Sequence, residues 1–204
     1  PEIANCKFDN GQSILELAMQ KDCLSVIRAL LNFRYCRGDT HKHIAVVKNL
    51  VVKNIIAPTS QVYKYFIDLE KFFNMLKKDV KETKRNEFAR MLAIYPEIVN
   101  LKFEKNTTLM LVIMTGDVNR VEEILKYKPD INDQTDKKIT ALMTAAEKGN
   151  IKIVEKLIEA GANIKAKTKN GWTALIIAAQ YGHLEVVKKL INLGADVDAR
   201  GNNG

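Results

Sequence analysis

Cys36, His41 and His43 come nearest to a metal-binding constellation in this sequence. A zinc site needs about four ligands, which are often supplied in part by a Cys-x-x-Cys pair. These three residues lack that spacing, and no fourth ligand accompanies them. An ordinary polar loop is the better interpretation, so we expect neither a bound metal ion nor a cofactor.

Side chains that could act in catalysis are also few. The available imidazole bases are the three histidines, His41, His43 and His183. The motifs of a nucleophile elbow, a phosphate-binding loop, a helical zinc site and a dinucleotide-binding turn do not occur. The segment is therefore predicted not to be an enzyme.

A basic strip in the middle of the chain could attract a phosphate group or an acidic partner. It consists of Lys77, Lys78, Lys81, Lys84 and Arg85. Asp79, Glu82 and Glu87 are interleaved with it, which favours a solvated helix carrying i,i+4 ion pairs. We do not expect nucleic-acid binding, because nucleic-acid binders concentrate positive charge on one face.

The composition is that of an ordinary folded protein. Of the 204 residues, 47% are hydrophobic and 27% are charged, and the formal net charge is +8. No apolar run approaches the roughly 20 residues that cross a bilayer, and no signal segment opens the chain. Three scattered cysteines make no disulfide framework. We expect an intracellular, cytoplasmic location, with secretion into a host cell's cytoplasm as the alternative.

The elements that position these side chains recur with a period of 33 residues. Residues 135–167 align with residues 168–200, and the same frame extends back through Thr107, Leu109 and Gly116. The identical pairs include Thr140/Thr173, Leu142/Leu175, Ala145/Ala178, Ala146/Ala179, Gly149/Gly182, Val154/Val187, Leu157/Leu190, Gly161/Gly194 and Ala162/Ala195.

One repeat has the signals of a helix pair. Asn170-Gly171 predicts a tight turn, and Thr173 is placed to cap a first helix over 174–180. Gly182 suits a left-handed helix terminus. A second helix is predicted over 184–192, with Val187, Leu190 and Ile191 on its apolar face. Neither helix could bury its face alone, so such units must stack.

This pattern resembles the ankyrin repeat, a turn followed by two helices with a period of 33 residues. The family's Thr-Pro-Leu-His run is replaced by Thr173-Ala174-Leu175-Ile176 and, one repeat earlier, by Thr140-Ala141-Leu142-Met143. The resemblance implies an all-α solenoid of about six stacked helix pairs, cut from a longer protein. It also implies that His183 has a structural role.

The chain divides into repeats as follows. The expected boundaries are a partial tail and first repeat at 1–35, an irregular repeat at 36–68, a divergent repeat at 69–101, three repeats at 102–134, 135–167 and 168–200, and the start of another at 201–204.

An irregular long-helix insert is expected near residues 36–82. Pro58-Thr59-Ser60 is placed to end one helix and to cap the next, over about 60–82. Its apolar residues alternate in steps of four and three, at Val62, Phe66, Leu69, Phe73, Leu76 and Val80. The aromatic stripe of Tyr63, Phe66, Phe72 and Phe73 is more typical of a core than of a ligand pocket. It could form a partner groove only if the array leaves it uncovered.

The family resemblance implies a partner-binding surface on the concave side, at the turn tips and the flank of each first helix. Transferred by alignment, that surface comprises Lys169, Asn170, Trp172, Gln180, Tyr181 and Leu193, then Asp136, Lys137, Ile139, Glu147 and Lys148, and before them Phe103, Asn106 and Met114. Trp172 is the only tryptophan and lies on a turn tip. The alternative role for Trp172 is local packing over neighbouring turns.

Three functions follow from the resemblance. The first is a protein-interaction module that binds a partner protein or peptide on its concave surface. The second is the targeting arm of a larger multidomain enzyme or secreted effector, whose catalytic part lies outside this segment. The third is a spacer or a surface for self-association. Membrane insertion is not expected.

Overall fold

The computed structural model describes residues 14–25, 27, 59–76, 85–103 and 106–202. The chain divides into two compact units, Pro1–Lys105 and Asn106–Gly204. The described part is mostly helical, as the sequence predicts, with two strands of two residues each. Among the described residues, no helix is both long enough and apolar enough to cross a membrane.

The first unit is built around one long helix. Its elements are α1 (Ile14–Gln20), α2 (Gln61–Leu76), α3 (Arg85–Ile94), a 3-10 helix (Pro96–Asn100) and β1 (Lys102–Phe103). Ser60 caps α2 as predicted, since the backbone N–H of Tyr63 donates to Ser60 Oγ at 3.0 Å. The predicted long helix is confirmed over 61–76, whereas residues 36–58 and 77–82 lie outside the described part.

The core of the first unit is rich in aromatic rings. Phe72 stacks on Phe88 with a centroid distance of 5.2 Å, and Tyr65 meets Tyr95 edge-on at 5.1 Å. Phe66 and Phe72 are fully buried, so that part of the aromatic stripe is core as predicted. Tyr63 is half-buried, and the side chain of Phe73 lies outside the described part.

The second unit contains three helix pairs in regular register. It begins with β2 (Asn106–Thr107), and its helices are α4 (Thr108–Met114), α5 (Val118–Leu125), α6 (Ala141–Lys148), α7 (Ile151–Glu159), α8 (Ala174–Gln180) and α9 (Leu184–Asn192). Each pair begins 33 residues after the one before it. The predicted helices over 174–180 and 184–192 are therefore confirmed.

The ends of the first helices explain this regularity. Thr107, Thr140 and Thr173 each accept a hydrogen bond from the backbone N–H three residues later, which satisfies an otherwise unpaired donor. Gly149 and Gly182 have φ of +68° and +74° and lie in the left-handed region at the ends of α6 and α8. The same local signals recur in each pair, so each pair folds alike.

The apolar face predicted for α9 needs a correction. Val186 and Leu190 are buried, whereas Val187 is only half-buried and Ile191 is 42% exposed. Within the described residues, α7 packs between α5 and α9, whereas α9 packs on α7 and α8. Val154, the equivalent of Val187 in α7, is therefore buried. The equivalent residues Ala146 of α6 and Ala179 of α8 differ in the same way, since Ala146 is buried and Ala179 is exposed.

Candidate partner-binding groove

A groove of about 360 Å³ lies between two turn tips and the ends of α6 and α8. Eight of the residues expected at a concave binding surface line it. They are Lys137, Ile139, Glu147, Lys169, Asn170, Trp172, Gln180 and Tyr181. The structure therefore gathers into one depression residues that the sequence places in two successive repeats.

One wall of the groove is formed by the turn tips and is called the tip wall here. Hydrogen bonds between successive turns hold it in place. The backbone N–H of Lys169 donates to the carbonyl of Lys137 at 3.0 Å, and that of Asn202 donates to the carbonyl of Asn170 at 2.8 Å. Within one turn, the backbone N–H of Trp172 donates to Thr168 Oγ1 at 3.1 Å. The tips are thus ordered before any partner arrives.

Trp172 both packs locally and lines the groove. A Cβ atom added to Gly201 would lie 2.9 Å from Trp172 Cδ1, so the indole rests directly on the backbone of the next turn. The residue is half-buried. Local packing and a binding role are therefore compatible, because the indole is held in place by Gly201 while it forms part of the wall.

The opposite wall of the groove, called the helix wall here, consists of polar and aromatic side chains at the ends of α6 and α8. Glu147 and Gln180 are exposed, and Tyr181 is 54% exposed. The Tyr181 ring lies nearly parallel to the His183 ring, at a centroid distance of 6.3 Å. His183 Nε2 lies 2.9 Å from the carbonyl oxygen of Glu147. His183 therefore links two helix pairs, which is the structural role expected for it.

The floor of the groove is apolar and was missed by the sequence prediction. Met143 and Ile177 are 1% and 9% exposed and line the groove, as does Thr168 on the tip wall. Met143 precedes Glu147 by four positions, and Ile177 precedes Tyr181 by four. Since residues four apart share a helix face, this spacing is a signal that could have identified both floor residues.

Charge is distributed unevenly around the groove. Lys137 and Lys169 stand on the tip wall, and Glu147 is the carboxylate on the helix wall. Away from the groove, Lys156 contacts Glu122 and Glu159 at 3.3 and 3.6 Å. The hydrogen bond to Glu122 and the nearby charge of Glu159 raise the pKa of Lys156.

The other predicted surface residues lie outside the groove. Asp136 and Lys148 are exposed, Met114 is 50% exposed at the end of α4, and Leu193 follows α9 with 41% exposure. Asn106 is half-buried in β2, and Phe103 belongs to β1 of the first unit.

The remaining sequence candidates fall largely outside the described residues. These are Cys36, His41, His43 and the strip from Lys77 to Lys84; Arg85 opens α3. In the part of the chain that the structure describes, no three His, Cys, Asp or Glu residues are grouped so that they could hold a metal ion.

Comparison with known proteins agrees with the geometry of the second unit. A family model for ankyrin repeats, in three copies, matches residues 109–201, the segment that contains the three helix pairs. No curated protein matches the chain. Ankyrin repeats are in general protein-interaction modules and are typically not catalytic. Residues 109–201 of this chain are therefore three ankyrin repeats.

Proposed function

We propose that the chain is a protein-interaction module that binds a partner protein or peptide in the groove of its second unit. The observation that carries this proposal is an apolar floor enclosed by a fixed tip wall and an exposed helix wall. Such a depression offers a partner one buried contact surrounded by polar ones, which is the usual anatomy of a protein interface.

The aromatic residues of the groove support the proposal. Tyrosine and tryptophan are enriched among the residues that dominate binding energy. Trp172 is held by Gly201, so little rotational freedom remains to be lost when a partner contacts it. Tyr181 presents about half of its surface to solvent, which leaves apolar area for a partner to cover.

The size of the groove favours an extended partner segment. Its volume of about 360 Å³ is at the lower end of ligand pockets, which are roughly 300–1,000 Å³. That space suits one or two side chains, whereas the rest of the segment would lie across the tips. We therefore expect recognition by a few anchors rather than by a large flat interface.

We also propose that about six helix pairs stack in this chain, with the repeat boundaries predicted from the sequence. The start of α3 supports this count, because it precedes the start of α5 by 33 residues. We expect the protein to act inside a cell, by binding and not by catalysis.

A comparison of two exposed apolar residues tests the function. Peptides selected from a displayed random library on the whole 204-residue chain would be titrated against Tyr181→Ala and against Leu184→Ala. Leu184 is 60% exposed, similar to Tyr181, but lies on α9 and does not line the groove. Both truncations are therefore expected to preserve the fold.

The expected result is a Kd at least about tenfold higher for Tyr181→Ala, as for an interface hot spot, and no change for Leu184→Ala. Fluorescence anisotropy of the labelled peptides measures both. An equal response of the two variants would show that the groove is not the binding site. Failure to select any peptide would favour a spacer.

A further inference from the structure

Some lysines of the second unit are held in ion pairs, whereas the three in its central turn form none with the described residues. On the second helices, Lys126 pairs with Glu123 at 2.6 Å, and Lys189 pairs with Glu155 at 2.7 Å. Lys156 and Lys188 on the same helices also contact glutamates. In the turn before α8, by contrast, Lys165, Lys167 and Lys169 form no ion pair with any described residue. Their charges remain available to a partner.

The three turn lysines are displayed on one side of their segment. Exposure alternates along it: Lys165, Lys167 and Lys169 are exposed, whereas the intervening residues, Ile164, Ala166 and Thr168, are half-buried. Residues 164–165 and 169–170 lie in turns and residues 166–168 connect them, so the alternation is a property of side-chain exposure. The half-buried positions face the protein, whereas the three exposed lysines form a row of positive charge that faces solvent.

This row of charge is specific to the central turn. The positions 33 residues earlier are Asn132, Gln134 and Asp136, and those 33 residues later are Asp198, Arg200 and Asn202. Three positive charges thus stand where one neighbouring turn has a net negative charge and the other has none. The repeat itself does not require the lysines, because the neighbouring turns fold without them.

The row continues into the groove. Lys169 lines the groove together with Lys137 of the preceding turn, and the hydrogen bond from Lys169 N–H to the Lys137 carbonyl holds the two turns together. On the opposite wall, Glu147 supplies a carboxylate. One edge of the apolar floor is therefore positive and the other edge is not.

We propose that the groove takes an acidic, extended peptide segment with one large apolar side chain. The apolar side chain occupies the floor formed by Met143 and Ile177, and the carboxylates face Lys165, Lys167 and Lys169. Glu147 repels acidic residues from the helix wall and so orients the segment. This inference rests on the proposed function and adds the chemical class of the partner.

Charge complementarity of this kind has a measurable signature. Exposed ion pairs contribute little individually and are screened by salt over about 10 Å at 0.1 M ionic strength. Apolar burial in the groove is not screened in this way. The affinity for an acidic segment should therefore fall as the salt concentration rises. The affinity for a neutral segment with the same apolar side chain should change little.

The probes are three labelled linear peptides that differ in one feature each. The first has a central phenylalanine between runs of glutamate, the second has glutamine in place of every glutamate, and the third has serine in place of the phenylalanine. They are titrated against the whole chain and against the triple variant Lys165→Gln/Lys167→Gln/Lys169→Gln. The matched control, Lys126→Gln/Lys152→Gln/Lys188→Gln, removes three charges from the second helices.

We expect the glutamate peptide to bind about tenfold more weakly to the turn variant and equally well to the control. Glu147→Gln should strengthen its binding by a fewfold, because repulsion is removed. Equal binding of the glutamate and glutamine peptides would overturn the inference but leave the proposed function intact, provided that the serine peptide binds more weakly. No binding of the glutamate peptide would also overturn the inference.

Two further outcomes would contradict the inference that the groove takes an acidic peptide. Equal binding of the serine and phenylalanine peptides would mean that the lysines attract any polyanion without use of the groove. Displacement of the glutamate peptide by a single-stranded oligonucleotide at equal charge concentration would indicate a nucleic-acid partner. The library-selected peptides separately decide whether the groove binds peptides at all.

Discussion

The two units bury their side chains in different ways. Among the described residues, the fully buried aromatic side chains all belong to the first unit: Tyr65, Phe66, Phe72 and Phe88. The second unit instead repeats a threonine cap and a left-handed glycine in each helix pair, with small buried alanines in the second and third pairs. We therefore expect stability to be concentrated in a few large aromatic side chains in the first unit, and to be distributed over aliphatic side chains and recurring local features in the second.

This difference bears on where binding is located. A repeat that is held by local signals tolerates changes on its exposed tips, because each tip contributes little to the fold. The central turn of the second unit can therefore carry three lysines that its neighbours lack. Phe66, Phe72 and Phe88 of the first unit, by contrast, are buried in its core.

The largest effect is expected for Phe72→Ala. Phe72 is fully buried and stacks on Phe88, and truncation of a buried phenylalanine lowers the free energy of unfolding by about 3–5 kcal/mol. Urea denaturation followed by circular dichroism measures the loss. Phe72→Leu keeps most of the apolar volume and should lose less. A loss below about 1 kcal/mol for the alanine variant would show that the core of the first unit is not concentrated there.

A smaller effect is expected for Gly149→Ala. Gly149 has a φ of +68°, and an added Cβ would overlap the His183 imidazole. We expect the free energy of unfolding to fall by about 2–3 kcal/mol, of which left-handed strain accounts for roughly 1–2 kcal/mol. Trp172 fluorescence measures it, since the only tryptophan lies in the second unit.

Gly182→Ala is the matched control for that variant. Gly182 has a similar φ of +74°, but an added Cβ would have no atom within 4 Å. The free energy of unfolding that Gly182→Ala loses should therefore reflect the backbone strain alone. If the two variants lost the same free energy, the contact between Gly149 and His183 would contribute nothing to the stacking of the helix pairs.

Local signals explain why the sequence predicted the second unit well. Thr173 and Gly182 begin and end a helix by hydrogen bonds and backbone preferences within a few residues. In the first unit the step pattern and the aromatic stripe identified Val62, Phe66, Leu69 and Phe72, but Tyr65, which belongs to neither, is also fully buried. A single apolar stripe underestimates a helix that is covered over a wider face.

The candidate site was predictable in part for the same reason. The alignment identified the rim, because Ile139 and Trp172 occupy equivalent positions in successive repeats. The packing of Trp172 on Gly201 depends on how one turn stacks against the next, which no local pattern specifies. The floor residues were missed because the alignment transferred only the turn tips and the exposed flank of each first helix, whereas Met143 is almost fully buried.

The smallest effect is expected for Lys189→Met, which tests how finely stability is distributed in the second unit. Lys189 joins α9 to Glu155 on α7 at 2.7 Å, and both side chains are about 40% exposed. Partly exposed ion pairs contribute about 0.2–1 kcal/mol, so we expect a loss near the middle of that range, again measured by Trp172 fluorescence. Lys188→Met is the control, because Lys188 contacts only Glu185 of its own helix. A larger loss for Lys189→Met than for Gly149→Ala would mean that one ion pair dominates the stacking, and the second unit would then be concentrated like the first.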